Sequence, residues 1–460
     1  MKKQMNLAEG NVEKLVMRMA VPMVVAQLVS MLYNIVDRIF VGRIPEIGAV
    51  ALGGIGIYLP INILFMAVSL LFGGGGAPQA SIALGSGNRE KAEKYLGGCV
   101  MPLAVLGVLF GICLYFLGDR ILPVFGATSA NLAYAMEYVR IICIGIPFSM
   151  LITGMNIFIN AQGKTLIGMV SVVIGAAVNL VLDAVFILGL DMGVSGAAWA
   201  TVIGQVVSAV WVIGFLCFPC SAIRIRKKNL FPEIKLLGNI MSLGVSNFIT
   251  TGAESLINIL LNSSLRKYGA EALTGYGVDG ATLAISVGTI VTATSSFIRQ
   301  PINGFCQGVQ PVISYNYGAG RQERVHRAIR FSILITTIYA AVFWLFMLVS
   351  PETFAKMFTN SRDVAAVSGN LIRFYVFGMI FSGVQSTLIQ AFVGRGMKKY
   401  SLFVSLFSKG LYVPLLLIFP IMVPPSFRLL VVYAAQMVTD IAGVIFIVSL
   451  YIKSNKQELQ

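Results

Sequence analysis

One histidine, three tryptophans and nineteen acidic residues are all that this 460-residue chain holds of those types, and only 12% of it is charged. These scarcities exclude several kinds of chemistry. His326 stands alone in a basic stretch, and neither H-E-x-x-H nor G-x-S-x-G occurs, so the sequence offers no zinc-protease or serine-hydrolase site and an enzyme is not expected. The glycine run Gly73–Gly76 lacks the Lys-Ser/Thr of a phosphate-binding loop and lies inside an apolar segment, where a bend is the better expectation. Of six cysteines, Cys99, Cys113, Cys143, Cys217 and Cys306 fall in or beside apolar runs and Cys220 follows at a helix end. Free thiols are expected, because no thioredoxin-like βαβ pattern surrounds the Cys217–Cys220 C-x-x-C.

What the chain does have is apolar surface. Its hydrophobic content is 57% and its mean hydropathy is +0.84, more than a soluble core can hide, so a bilayer is the natural solvent. Apolar runs between turn signals predict helices over 15–40, 49–84, 95–117, 132–160, 165–189, 194–218, 236–265, 272–312, 328–350, 364–392, 400–421 and 426–452, twelve in all. The second and eighth exceed what a bilayer needs, with Gly73–Gly76 and Pro301 as expected bending points. With both termini inside, the loops on that side hold sixteen basic residues against seven on the other, which favours cytoplasmic termini. The formal charge of +15 is therefore topological; its bases are spread over short loops, and no nucleic-acid partner is expected.

A repeat is legible. A shift of 233 residues superposes Pro78 on Pro311, Gly85 on Gly318, Gly87 on Gly320, Glu90 on Glu323, Arg140 on Arg373, Gly145 on Gly378, Phe148 on Phe381 and Gly163 on Gly396. Nearer the start, residues 49–57 match 270–278 at an offset of 221. The expected fold is an all-α polytopic membrane protein, with twelve transmembrane helices in two pseudo-symmetric six-helix lobes around a central cleft. Expected boundaries are a cytoplasmic tail over 1–14, retained rather than cleaved, lobes over 15–220 and 236–452, a basic cytoplasmic linker over 221–235, and a tail over 453–460.

Carboxylates inside a bilayer are costly, by about 2.5–3.5 kcal/mol at the centre, so those kept need a reason. Asp37, Asp183, Glu254, Asp279 and Asp440 stand out. Asn179 precedes Asp183 by four residues on one helical face, and Tyr33 and Asn34 lie one turn before Asp37, with Thr201 able to add a hydroxyl from the sixth helix. Met31, Tyr33, Asn34, Met155 and Asn156 would line a deformable, sparsely polar substrate cavity suited to lipophilic cations. Arg140 and Arg373 are expected to anchor helix ends at the interface, whereas Arg299 and Lys409 fall deeper, where an acid partner is expected.

The stretches Y-N-I-V-D-R-I-F-V-G (33–42), G-S-G-N-R-E-K-A (85–92), N-A-Q-G-K (160–164), V-N-L-V-L-D (178–183), G-A-A-W-A-T (196–201) and G-A-G-R-Q-E-R (318–324) make the chain resemble the multidrug and toxic compound extrusion (MATE) family, in its MepA-like bacterial branch. The resemblance spans essentially the whole chain. It implies antiport of amphipathic, mostly cationic small molecules against H⁺ or Na⁺ by alternating access, with no other cofactor. It places an ion-coupling site at Asp37, Asn179, Asp183 and Thr201, where Na⁺ would sit against Asp37, Asn179 and Asp183, and assigns Glu254 to coupling or substrate charge recognition in the C-terminal lobe. It also implies a monomer among lipids of a bacterial plasma membrane. A lipid-linked oligosaccharide flippase or a narrow metabolite exporter is the alternative.

Overall fold

The computed structural model describes residues 7–42, 44, 48–129, 131–272, 280–359 and 361–458. Among them there is no strand. The N-terminal lobe contains α1 (Val12–Gly42), α2 (Gly48–Gly85), α3 (Arg89–Val124), α4 (Leu132–Ala161), α5 (Thr165–Asp183) and α6 (Gly193–Cys217). The C-terminal lobe contains α7 (Ile234–Ala272), α8 (Gly280–Gly318), α9 (Gln322–Val349), the short α10 (Pro351–Ala355), α11 (Arg362–Tyr375), α12 (Ser382–Gly394), α13 (Lys398–Ile418) and α14 (Arg428–Glu458).

With α11 and α12 counted as one span, these make the twelve expected crossings. The span expected as one helix over 364–392 is interrupted by a 3₁₀ turn at Phe377–Phe381. The fifth continues past Asp183 as a π-helical segment, Ala184–Gly189. Helices α2, α7 and α8 run 38, 39 and 39 residues, well beyond the ~20 that cross a hydrocarbon core, so they extend past it or tilt. All six cysteines are free thiols. Asp279 lies outside the described residues.

Each lobe has its own apolar core. One gathers residues such as Leu96, Leu103, Ile142, Met155 and Phe158, the other Leu265, Val287, Ile372, Met379 and Tyr433. A third cluster joins the lobes at the end of the bundle where α1 begins and α14 ends, here called the terminal face. There Leu7, Val16, Met19 and Ala20 pack against Val309, Ile313, Ile329, Phe392 and Ile447.

Contact across this face depends on glycine. A methyl on Gly75 would lie 2.1 Å from the Ile240 carbonyl oxygen, and one on Gly244 would lie 1.8 Å from that of Leu71. Gly304 and Gly308 do the same for α8 against α1, at 2.8 Å from the Met23 oxygen and 2.5 Å from Ala20 Cα. The run Gly73–Gly76 thus serves close approach, to Gly154, Asn247, Ile240 and Cys99 in turn, while α2 continues through it as helix.

Polar straps reinforce the same face. The chain ahead of α1 crosses to the other lobe, where Asn316 Nδ2 donates to the Leu7 carbonyl (3.0 Å) and Arg324 to those of Gly10 (2.8 Å) and Glu9 (3.3 Å). Arg321 reaches the Ala8 carbonyl, and Arg327 pairs with Glu13 at 2.7 Å. The segment ahead of α7 mirrors this on α3: Arg226 pairs with the buried Glu93 at 3.1 Å and Lys228 with Glu90 at 3.4 Å. Further along α2 and α7 from that face, the Ser255 hydroxyl donates to the Pro60 carbonyl at 3.2 Å and joins the lobes again.

Candidate functional site

Small residues bring α5 and α6 together. A methyl on Gly204 would lie 2.9 Å from the Gly175 carbonyl, a methyl on Gly175 would meet the Ser208 hydroxyl at 2.2 Å, and Ser208 donates to the Ser171 carbonyl at 2.9 Å. This close seam lets Asn179 Nδ2 reach Thr201 Oγ1 at 3.3 Å. One turn further along α5, Asp183 has no exposed surface, and Asn179 and Thr201 are buried with it.

From α1, the Asp37 carboxylate faces that of Asp183, and the Tyr33 hydroxyl turns toward Thr201. The structure therefore gathers four residues expected from sequence, Asp37, Asn179, Asp183 and Thr201. Asp183 sits where α5 passes into the π segment, whose wider turns carry the five-residue bond from Leu190 N to the Val185 carbonyl (2.9 Å). Such insertions recur at functional sites because they re-aim side chains at the price of regular packing.

The electrostatics are one-sided. Both Asp183 oxygens and Asn179 Oδ1 are sealed from solvent and accept no hydrogen bond among the described residues. Buried acceptors without donors are destabilising by about 1–3 kcal/mol each, more when charged. Two facing carboxylates also repel unless a proton or cation lies between them. The donor set of carboxylate, amide and hydroxyl oxygens suits a proton or a small hard cation. Among the described residues no group of three His, Cys, Asp or Glu side chains forms a metal cluster.

Tyr138 and Tyr58 escaped the sequence reading. Tyr138 on α4 also turns toward Thr201, and its ring meets Tyr58 edge-on at 5.9 Å. Tyrosines on otherwise apolar helices carry a polar tip that needs a partner, and that was the available signal.

The residues expected to line the cavity divide. Met31 and Tyr33 are half-buried on α1, and Asn34 is exposed there with its amide bonded to the Ser30 carbonyl at 2.6 Å. Met155 is fully enclosed in the N-lobe core. Asn156 donates to the Gly168 carbonyl (3.1 Å) and Ser171 Oγ (3.0 Å), tying α4 to α5. In this conformation neither presents a surface to the cleft, because α4 turns that face into its own lobe.

In the C-terminal lobe, Arg299 on α8 holds Asp440 on α14 through bonds of 2.9 and 2.8 Å, and Gln436 adds a third at 2.8 Å. Glu254 on α7 pairs with Lys409 on α13 at 3.6 Å. The acid partners expected for Arg299 and Lys409 are thus Asp440 and Glu254. Arg140 and Arg373 are both exposed.

A family model described as MatE matches residues 22–185 and 248–418. The multidrug export protein MepA of Staphylococcus aureus (strain MSSA476) is 24% identical over 409 residues, covering 88% of this chain and 86% of that one. Two solved structures are similar in fold, each at 22% identity, a TM-score of 0.86 and 99% coverage of this chain. They are a MATE in complex with MaL6, covered over 100% of its length, and a multidrug resistance MATE family transporter of the MOP superfamily in an outward-facing conformation, covered over 99%.

Proposed function

The chain belongs to the MatE family, and on that premise we propose that it is a multidrug efflux transporter that exports amphipathic, mostly cationic small molecules in exchange for H⁺ or Na⁺. The observation that carries the coupling half of this reading is the enclosed Asp183 facing Asp37, with acceptor oxygens that have no donor.

In this reading the terminal face is cytoplasmic, the membrane is a bacterial plasma membrane, and the protein works as a monomer among lipids. Lobes over 15–220 and 236–452, joined by a linker over 221–235, rock about the pseudo-symmetry axis. The state described has the cytoplasmic side closed by glycine contacts and straps. A proton or Na⁺ entering between Asp37 and Asp183 from outside cancels their repulsion and draws α1 onto α5. That movement closes the space around Tyr33 and Asn34 in which an amphipathic cation is held, and the cation leaves outward. Release of the ion to the inside then resets α1. Exchange of one ion for one monovalent cation moves no net charge, so the membrane potential, about 2.3 kcal/mol per charge per 100 mV, would contribute nothing.

The test is ethidium movement in proteoliposomes under an imposed Na⁺ gradient or an imposed pH gradient, for wild type and Asp183→Asn. Movement under one gradient, abolished by the substitution, is the expected result and identifies the ion. Dye movement unaffected by Asp183→Asn would overturn N-lobe coupling. No movement under either gradient would favour a lipid-linked oligosaccharide flippase or a narrow metabolite exporter.

A further inference from the structure

Four charges from four helices meet in the C-terminal lobe without forming one closed network. Arg299 and Asp440 make a bidentate pair at 2.8–2.9 Å, and Asp440 is saturated further by Gln436. Glu254 and Lys409 are different: their single contact is 3.6 Å long, Glu254 is 54% exposed and Lys409 22%. Glu254 lies close enough for Arg299 to feel its charge, and Arg299 Nε has no hydrogen-bond partner among the described residues. Glu254 immediately precedes Ser255, whose hydroxyl crosses to Pro60 of the other lobe, so the loose pair lies at the same depth along α7 as a contact between the lobes.

A long, half-open pair is one that a ligand can exchange. We propose that Lys409 determines substrate charge by competing for Glu254: an incoming cation must displace its ammonium, and an incoming carboxylate is received by it, with Arg299 Nε within the same cluster. The C-lobe wall then discriminates simple monocations from zwitterions of the same body. Lys409 disfavours the first and favours the second, while the tight Asp440–Arg299 pair fixes α8 to α14 and keeps Asp440 out of the exchange. The inference rests on the exporter reading above, but equilibrium binding tests it without any gradient.

The experiment measures binding of tetraphenylphosphonium and of its zwitterionic carboxyphenyl-triphenylphosphonium analogue to the purified full chain in nanodiscs. Lys409→Gln should tighten the monocation and weaken the zwitterion, each by roughly three- to fivefold, the scale of a partly exposed ion pair. Glu254→Gln should weaken the monocation and spare the zwitterion, and Lys409→Arg should keep the wild-type order. A merely structural role for Lys409 would move both ligands the same way, and that result would overturn the proposal, as would no change in either. Wild type binding neither compound would overturn this proposal alone, since the exporter reading stands or falls on the ethidium test. Selectivity that shifts as described while ethidium transport fails under both gradients would support this site and refute only the coupling.

Discussion

Gly85 and Gly318 each sit against the other lobe's backbone: a methyl on Gly85 would lie 2.0 Å from the Tyr315 carbonyl oxygen, and one on Gly318 would lie 2.0 Å from that of Ile82. Each glycine and each carbonyl is the partner of the other at the 233-residue offset, so a one-dimensional repeat has become a reciprocal contact across an axis. The Gly75–Ile240 and Gly308–Met19 contacts are reciprocal too, the glycines matching at 233 and the carbonyls at the 221 offset of the earlier block, and the left-handed turns at Gly87 and Gly320 (φ 78° and 72°) and at Gly163 and Gly396 (79° and 70°) repeat at 233. Duplication explains this economy, because one small residue retained in each half builds both sides of a seam.

Gly85→Ala should therefore act as a wedge. Neither neighbour can yield cheaply, since both are helical backbone, and an overpacked contact of this kind is destabilising by about 1–3 kcal/mol. A lower melting temperature of the purified protein is the expected reading. Gly410→Ala, where nothing lies within 4 Å, should show no loss.

The fold was legible because bilayer length and glycine repeats leave marks in one dimension. Apolar runs bounded by Gly and basic residues located the twelve crossings, and Asn179–Asp183 showed itself by helical spacing. Pairings between distant helices left no such mark. Nothing near Arg299 or Asp440 in sequence indicates that they meet across 141 residues. Nor did composition separate Met31 from Met155, because both are methionines in apolar helices and only packing enclosed the second. The π segment after Asp183 was equally silent, since its residues, Ala184–Gly189, suit an ordinary helix.

Asn156 separates packing from recognition. Asn156→Ala removes two hydrogen bonds between α4 and α5 and should lower stability by about 1–2 kcal/mol. Affinity for tetraphenylphosphonium should stay as in wild type; a selective loss of affinity with unchanged melting would return Asn156 to the cavity wall.

Thr201 supports the coupling site from behind. Thr201→Val leaves the Asn179 amide without its buried acceptor, whereas Thr201→Ser keeps the oxygen. The expected pattern in proteoliposomes is a higher coupling-ion concentration for half-maximal export in the valine variant, by about tenfold, the low end of the roughly 1–3 kcal/mol that leaving a buried neutral donor unpaired costs, with the serine variant near wild type. Asp37→Asn and Asp183→Asn should each abolish coupling, and the double variant should be no worse than either, because facing carboxylates that hold one ion act as a unit.

The straps on the terminal face should set how readily that face opens. Arg321, Arg324 and Asn316 grip the backbone of residues 7–10, and Arg327 holds Glu13, so the tail is fastened to the lobe opposite its own helix. Charge-assisted bonds to carbonyls contribute about 1.5–3 kcal/mol where they exclude water, and the more exposed Glu13 pair contributes less. Removing residues 2–10 deletes the carbonyls and also Leu7, which packs beneath Gly163. A cysteine at Ser81, enclosed between α2 and α8 where its hydroxyl reaches the Pro311 carbonyl, reports opening. With Cys113, Cys217 and Cys220 changed to serine, labelling of that cysteine by a charged maleimide should quicken about tenfold on truncation. Glu13→Gln alone should quicken it by roughly twofold. Labelling that stays slow in the truncated chain would leave closure to the glycine contacts alone and make the tail a passenger of α1.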